Sequence, residues 1–103
     1  MTDRVGQFQS MVDRQPDNEL FRFSLAQALI TAGRAAEAEP HLMTCIAKKS
    51  DWMIPRILLG KHLLATGRQA EATPLLEEAL RLALAQDHED PAEELRALLG
   101  QQR

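Results

Sequence analysis

A chain of 103 residues has room for one hydrophobic core of ordinary size, and with 45% hydrophobic residues, 4% aromatic and no Tyr that core must be built from Leu and Ala, which suits close-packed helices. Twelve Lys and Arg mixed among 15 Asp and Glu give a net charge of −3, with no basic stripe to neutralise phosphates, which argues against a nucleic-acid partner. The single cysteine excludes an internal disulfide, and no apolar run has the length of a signal peptide or membrane span, so the expectation is a cytoplasmic protein with no membrane partner.

In chain order, Val5, Phe8, Met11 and Val12 fall on one helical face and predict a first helix over residues 4–16, ending at Pro16-Asp17-Asn18. Asp17 or Asn18 is placed to cap a second helix carrying Leu20, Phe21, Leu25, Leu29 and Ile30. Gly33 supplies the left-handed residue that closes it. A short connection leads to a third helix with the stripe Ala35, Ala38, Leu42, Cys45 and Ile46, and so short a link requires antiparallel packing.

Ser50 or Asp51 is the capping candidate for a fourth helix, with Ile54, Ile57, Leu58, Leu59, Leu63 and Leu64 on one side and Gly67 at its turn. Ala72, Leu75, Leu76, Ala79 and Leu80 mark a fifth. Pro40 and Pro74 are expected in the first turns of helices three and five, because a proline in a helix interior costs about 3 kcal/mol. The last element is predicted over residues 90–100, with Asp90 as cap, Pro91 at the first helical position, Glu93 reaching back, and Leu95, Leu98 and Leu99 as its apolar face. Residues Gln101 to Arg103 are expected to fray.

Ten identities recur at one constant offset, the offset from Gly33 to Gly67; among them are Leu25 and Leu59, Leu29 and Leu63, Arg34 and Arg68, Glu37 and Glu71, Pro40 and Pro74, and Leu42 and Leu76. A helix-turn-helix unit with a period of about 34 residues cannot bury its apolar face alone and stacks on copies of itself. With the phase set on the two glycines, the chain resembles the tetratricopeptide repeat family. Repeat one runs over 19–52, with Leu25-Ala26, Leu29, Gly33, Ala38, Leu42 and Cys45 in the family's slots. Repeat two runs over 53–86, with Leu59-Gly60, Leu63, Gly67, Ala72, Leu76 and Ala79. The small slots at Ala26, Gly60, Ala38 and Ala72 let helix backbones approach closely. The chain departs from the family at Arg22 and Arg56, where its early Trp would stand, and at Ser50 and Leu84, where its closing Pro would stand.

The first helix fits as a half-repeat and the last as a capping helix. The expected architecture is therefore all-α: about six helices, antiparallel helix-turn-helix repeats stacked as a short right-handed α-solenoid, in a single domain over residues 1–103.

The resemblance implies a non-catalytic protein-protein interaction module, an adaptor or assembly factor that receives a peptide or helix of another protein in a concave groove. Carried over by position, the lining is Leu20, Phe23, Gln27 and Ile30 from repeat one, and Ile54, Ile57, Lys61 and Leu64 from repeat two. It is mainly apolar. Gln27 and Lys61 at equivalent places suit one carboxylate on the incoming segment. The family's Lys and Asn clamp for chaperone C-termini is missing, since Phe23, Gln27 and Leu58 fill the matching places. The competing reading is self-association, with the lining buried against the terminal helices or in a homodimer. On the first reading, Phe23→Ala with Ile57→Ala removes partner capture without loss of helicity or melting temperature.

The remaining chemistry-bearing residues are read as structural. His41 and Cys45, four apart, lack the third and fourth ligands of a zinc site, and Cys45 fills the small slot that Ala79 fills in repeat two. His62 and His88 have no identifiable orienting partner. No catalytic residue, cofactor or metal is expected. Trp52 is assigned to packing between the repeats, Arg34 and Arg68 to solvated connections, and Glu77-Glu78 and Glu93-Glu94 to solvated helix faces, with Glu77 and Arg81 as an i, i+4 pair.

Overall fold

Capping and turn chemistry set the helix boundaries. The computed structural model describes residues 3–101, and among these are six α-helices: α1 (Arg4–Arg14), α2 (Glu19–Thr31), α3 (Ala35–Lys48), α4 (Met53–Ala65), α5 (Gln69–Ala85) and α6 (Glu89–Gly100). The fold is all-α. The start of α4 follows that of α2 by the same offset that separates Gly67 from Gly33, and so does the start of α5 after α3, so the period in the sequence is also the period of the structure. None of the described helices is long and apolar enough to cross a membrane.

The chain divides between Ser50 and Asp51 into two compact units, α1–α3 and α4–α6. In the first, α2 packs on both α1 and α3; in the second, α5 packs on both α4 and α6. The buried positions recur: Leu25 and Leu59, Leu29 and Leu63, Ala38 and Ala72, Leu42 and Leu76, Cys45 and Ala79 are all out of solvent. Ala26 and Gly60, the small residues of the first helix in each pair, are buried as well. A Cβ added at Gly60 would lie 2.5 Å from Cδ2 and 2.7 Å from Cγ of Leu76, so the Leu76 side chain of α5 fills the space that a side chain on α4 would need there.

Gly33 (φ 77°) and Gly67 (φ 76°) close α2 and α4 in the left-handed conformation. At each, the next residue's amide reaches back to the helix, Arg34 N to Leu29 O and Arg68 N to Leu63 O, both at 2.8 Å. A third turn of this kind ends α5 without a glycine. Asp87 takes the left-handed conformation (φ 58°), and His88 N donates to Ala83 O at 2.8 Å.

Asn18, one of the two expected candidates, caps α2, its Oδ1 accepting from Phe21 N at 3.1 Å. Other ends differ from the sequence expectation. The N-cap of α4 is Trp52, without a side-chain cap, so neither Ser50 nor Asp51 fills that role. The turn at Asp87 starts α6 at Glu89, which places Asp90 inside its first turn rather than at the cap and makes Pro91 the third helical residue rather than the first. Pro40 and Pro74 are each the sixth residue of their helix, one turn farther in than predicted. Of the tail expected to fray, Gln101 is the C-cap of α6, its amide donating to Ala97 O at 3.2 Å, and residues 102–103 lie outside the described residues.

Candidate partner-binding surface

Helices α2 and α4 carry the eight residues expected to line a groove. On α2, Leu20 is 62% exposed, Gln27 is exposed, and Phe23 and Ile30 are half-buried. On α4, Ile54 is 38% exposed, Lys61 is exposed, and Leu64 is half-buried. Ile57 differs, because at 6% exposure it belongs to the core. Truncating it would cost about 2–5 kcal/mol of stability, so the paired substitution that includes Ile57→Ala does not isolate a surface.

Leu20 and Ile54 are equivalent positions in the two repeats, each the second residue of its helix, α2 or α4. Both are large, apolar and exposed. Met43 and Leu84 are also exposed, on α3 and α5. The place equivalent to Met43 in repeat two is Glu77, so that exposure is apolar in one repeat and charged in the other.

Lys61 already has a carboxylate. Its Nζ lies 2.6 Å from Oε1 of Glu94 on α6, both side chains about half exposed. Glu94 is exposed, as its assignment to a solvated face expects, and it also occupies the cation offered to an incoming segment. Gln27 lines a cleft of about 520 Å³ in the first unit, walled by Val5 and Phe8 of α1 and by Ser24, Ala28 and Thr31 of α2. The sequence reading missed this cleft. The signal for it is the register: Phe8 stands one repeat before Leu42 and two before Leu76, both fully buried, yet Phe8 itself is only half-buried.

The charged groups on these helices are mostly paired locally. Arg34 forks onto Glu37 through Nε and Nη2, both at 2.7 Å, and Arg68 does the same to Glu71 at 2.7 and 2.9 Å. Both arginines stay exposed, as expected of solvated connections, and both carry the same local ion pair. Hydrogen bonding to the guanidinium lowers the pKa of Glu37 and of Glu71, and raises that of Arg34. Arg81 pairs with Glu78, Nη2 to Oε1 at 2.5 Å, and not with Glu77, so the i, i+3 spacing prevails over i, i+4. Glu93 pairs with Arg96 at 3.0 Å instead of reaching back toward the helix start.

His41 and Cys45 do share a face of α3, but their polar atoms are turned to other partners. Arg22 Nη1 donates to His41 Nδ1 at 3.2 Å, and Cys45 Sγ donates to Glu19 O at 3.4 Å. Burial pushes the Cys45 thiol up to about 11. Among the described residues no cluster of three or more His, Cys, Asp or Glu has the geometry to hold a metal ion. His88 serves as the N-cap residue of α6, His62 is half-buried on α4, and Trp52 is half-buried at the start of α4.

Compared with protein-family models, with curated proteins and with solved structures, the chain matches none.

Proposed function

We propose that this chain is a non-catalytic protein-interaction module of the tetratricopeptide repeat type, an adaptor or assembly factor of the cytoplasm that holds an apolar or amphipathic peptide or helix of another protein. The observation that carries this reading is the recurrence of an exposed apolar residue at one position of both repeats, Leu20 and Ile54. A single exposed Leu needs no explanation, since folded surfaces are more than half apolar. The same exposure in two copies of one helical hairpin is harder to assign to chance, because each such residue forgoes the burial that its repeat offers at neighbouring positions. On this reading the two side chains meet the apolar face of the incoming peptide or helix. A carboxylate on the partner would compete with Glu94 for Lys61.

The test is capture from cell extract by the immobilised protein, comparing wild type with Leu20→Ser/Ile54→Ser. Both side chains are exposed, so the expected result is loss of the captured protein with an unchanged melting curve. Undiminished capture by the double variant overturns the assignment of these anchors. Sedimentation equilibrium over a wide concentration range separates the second reading. A constant mass near 11.5 kDa supports a foreign partner, whereas a doubling that the same substitutions abolish assigns the surface to a homodimer.

A further inference from the structure

One guanidinium joins three parts of the first unit. Arg22 on α2 donates through Nε to the carbonyl of Pro16 in the α1–α2 turn at 2.7 Å, and through Nη1 to Nδ1 of His41 on α3 at 3.2 Å. Because Nδ1 accepts, the neutral ring carries its proton on Nε2. A second proton must go to Nδ1, where it removes the acceptor and sets an imidazolium against the guanidinium. The other titratable groups nearby do not offset that charge. Glu19, a turn before Arg22, bears on Cys45, whose thiol is neutral; Glu37, one turn before His41, is committed to Arg34; Asp17 in the turn is paired with Lys48 at 3.5 Å.

The second repeat supplies an internal comparison. The places equivalent to Arg22, His41 and Cys45 hold Arg56, Leu75 and Ala79, so the arginine recurs and the imidazole does not. Whatever the arginine does for the fold, titration at this place is confined to the first unit.

We propose that His41 makes the first unit acid-sensitive: when its ring takes a second proton, the α1–α2 turn and α3 lose their common anchor on Arg22 and the first unit opens, while Leu75, at the equivalent place in the second unit, does not titrate. Burial first, and then the charge of Arg22, hold the imidazole below its ordinary value of 6.5. The folded state therefore binds this proton less readily than the unfolded chain. The stabilisation from the neutral ring is fully present above about pH 6.5 and is lost as pH falls through the folded value.

The experiment is backbone amide exchange followed by NMR at about pH 7.5 and about pH 5.5, a window above the carboxylate range, together with titration of the His41 ring signals. In wild type, protection falls several-fold more in α2 and α3 than in α4 and α5. His41→Gln, which offers Arg22 an amide oxygen that does not titrate, removes the fall. If His41→Gln does not fold, Arg22→Gln serves, because loss of the guanidinium moves the ring titration upward. An equal fall in wild type and His41→Gln overturns the proposal, as does a ring that titrates at or above about 6.5 in wild type or stays unmoved in Arg22→Gln.

Discussion

Adding one methyl group at Gly60 measures how closely α4 and α5 are packed. Gly60 is the eighth of thirteen residues in α4, an interior position where replacing Gly by Ala ordinarily stabilises a helix by about 0.8–1.0 kcal/mol. Here the new Cβ would come within 2.5 Å of Leu76 Cδ2 and 2.7 Å of Cγ. Leu76 is 0% exposed, so its branch has nowhere to rotate, and overpacking of this kind costs about 1–3 kcal/mol. The net expectation for Gly60→Ala is a loss of about 0–2 kcal/mol in place of a gain. Ala26, fully buried at the equivalent place in the first repeat, shows that a methyl group is acceptable when the facing residue leaves space.

The double-mutant cycle sharpens this. Leu76→Ala alone should cost about 2–5 kcal/mol through the cavity it leaves. Against that background Gly60→Ala loses its clash, partly fills the vacated space and recovers helix propensity, so the same methyl becomes stabilising. The assay is urea unfolding followed by far-ultraviolet circular dichroism for the four proteins, with slopes compared to confirm that one transition is being read. Additivity within about 0.5 kcal/mol, or a Gly60→Ala protein more stable than wild type, would refute the close-approach reasoning.

At pH 8 a thiol titrating at about 11 is ionised to about one part in a thousand, against roughly a quarter for an ordinary cysteine, so Cys45 should alkylate roughly 200-fold more slowly than in the urea-unfolded chain from ionisation alone. A rate within about threefold of the unfolded chain means that α3 does not shield the sulfur on that timescale. Asp87→Gly should raise stability by about 1 kcal/mol, since a left-handed residue with a Cβ costs about 1–2 kcal/mol and the side chain is exposed; a melting temperature that drops would show that the Asp side chain itself holds the turn.

The elements legible in the sequence are those fixed by local chemistry. Gly33 and Gly67 announce their turns because almost no other residue adopts that conformation at no steric cost, and the regular recurrence of Leu25, Leu29, Ala38 and Leu42 at their equivalents marks the buried faces. Asp87 makes the same turn without a glycine, which is why the sequence places the start of α6 too late and assigns its cap to Asp90. Choice of ion-pair partner is less legible. Glu37 and Glu71 lie one helical turn from their arginines and could be paired from spacing alone, but Lys61 and Glu94 are remote in sequence and meet only because α4 and α6 both flank α5. Ile57 is misplaced for a related reason. The family resemblance, carried over by position, puts it beside Ile54 in the groove lining, and only the packed structure separates the exposed residue from the buried one.

Two copies of one hairpin in one chain act as controls for each other, and their comparison separates packing from recognition. Where the repeats agree in both size and burial, as at Leu42 and Leu76 or Ala38 and Ala72, the requirement is steric and the residue reports the fold. Where they share a backbone position but differ in chemistry, as at His41 and Leu75 or Met43 and Glu77, the fold tolerates either, so the choice belongs to one unit alone. Leu20 and Ile54 form a third class: the identity differs, the apolar character is kept, and neither is buried. Packing does not demand that combination and solubility disfavours it. On the function proposed above, this is the class to which the contact with a partner is assigned.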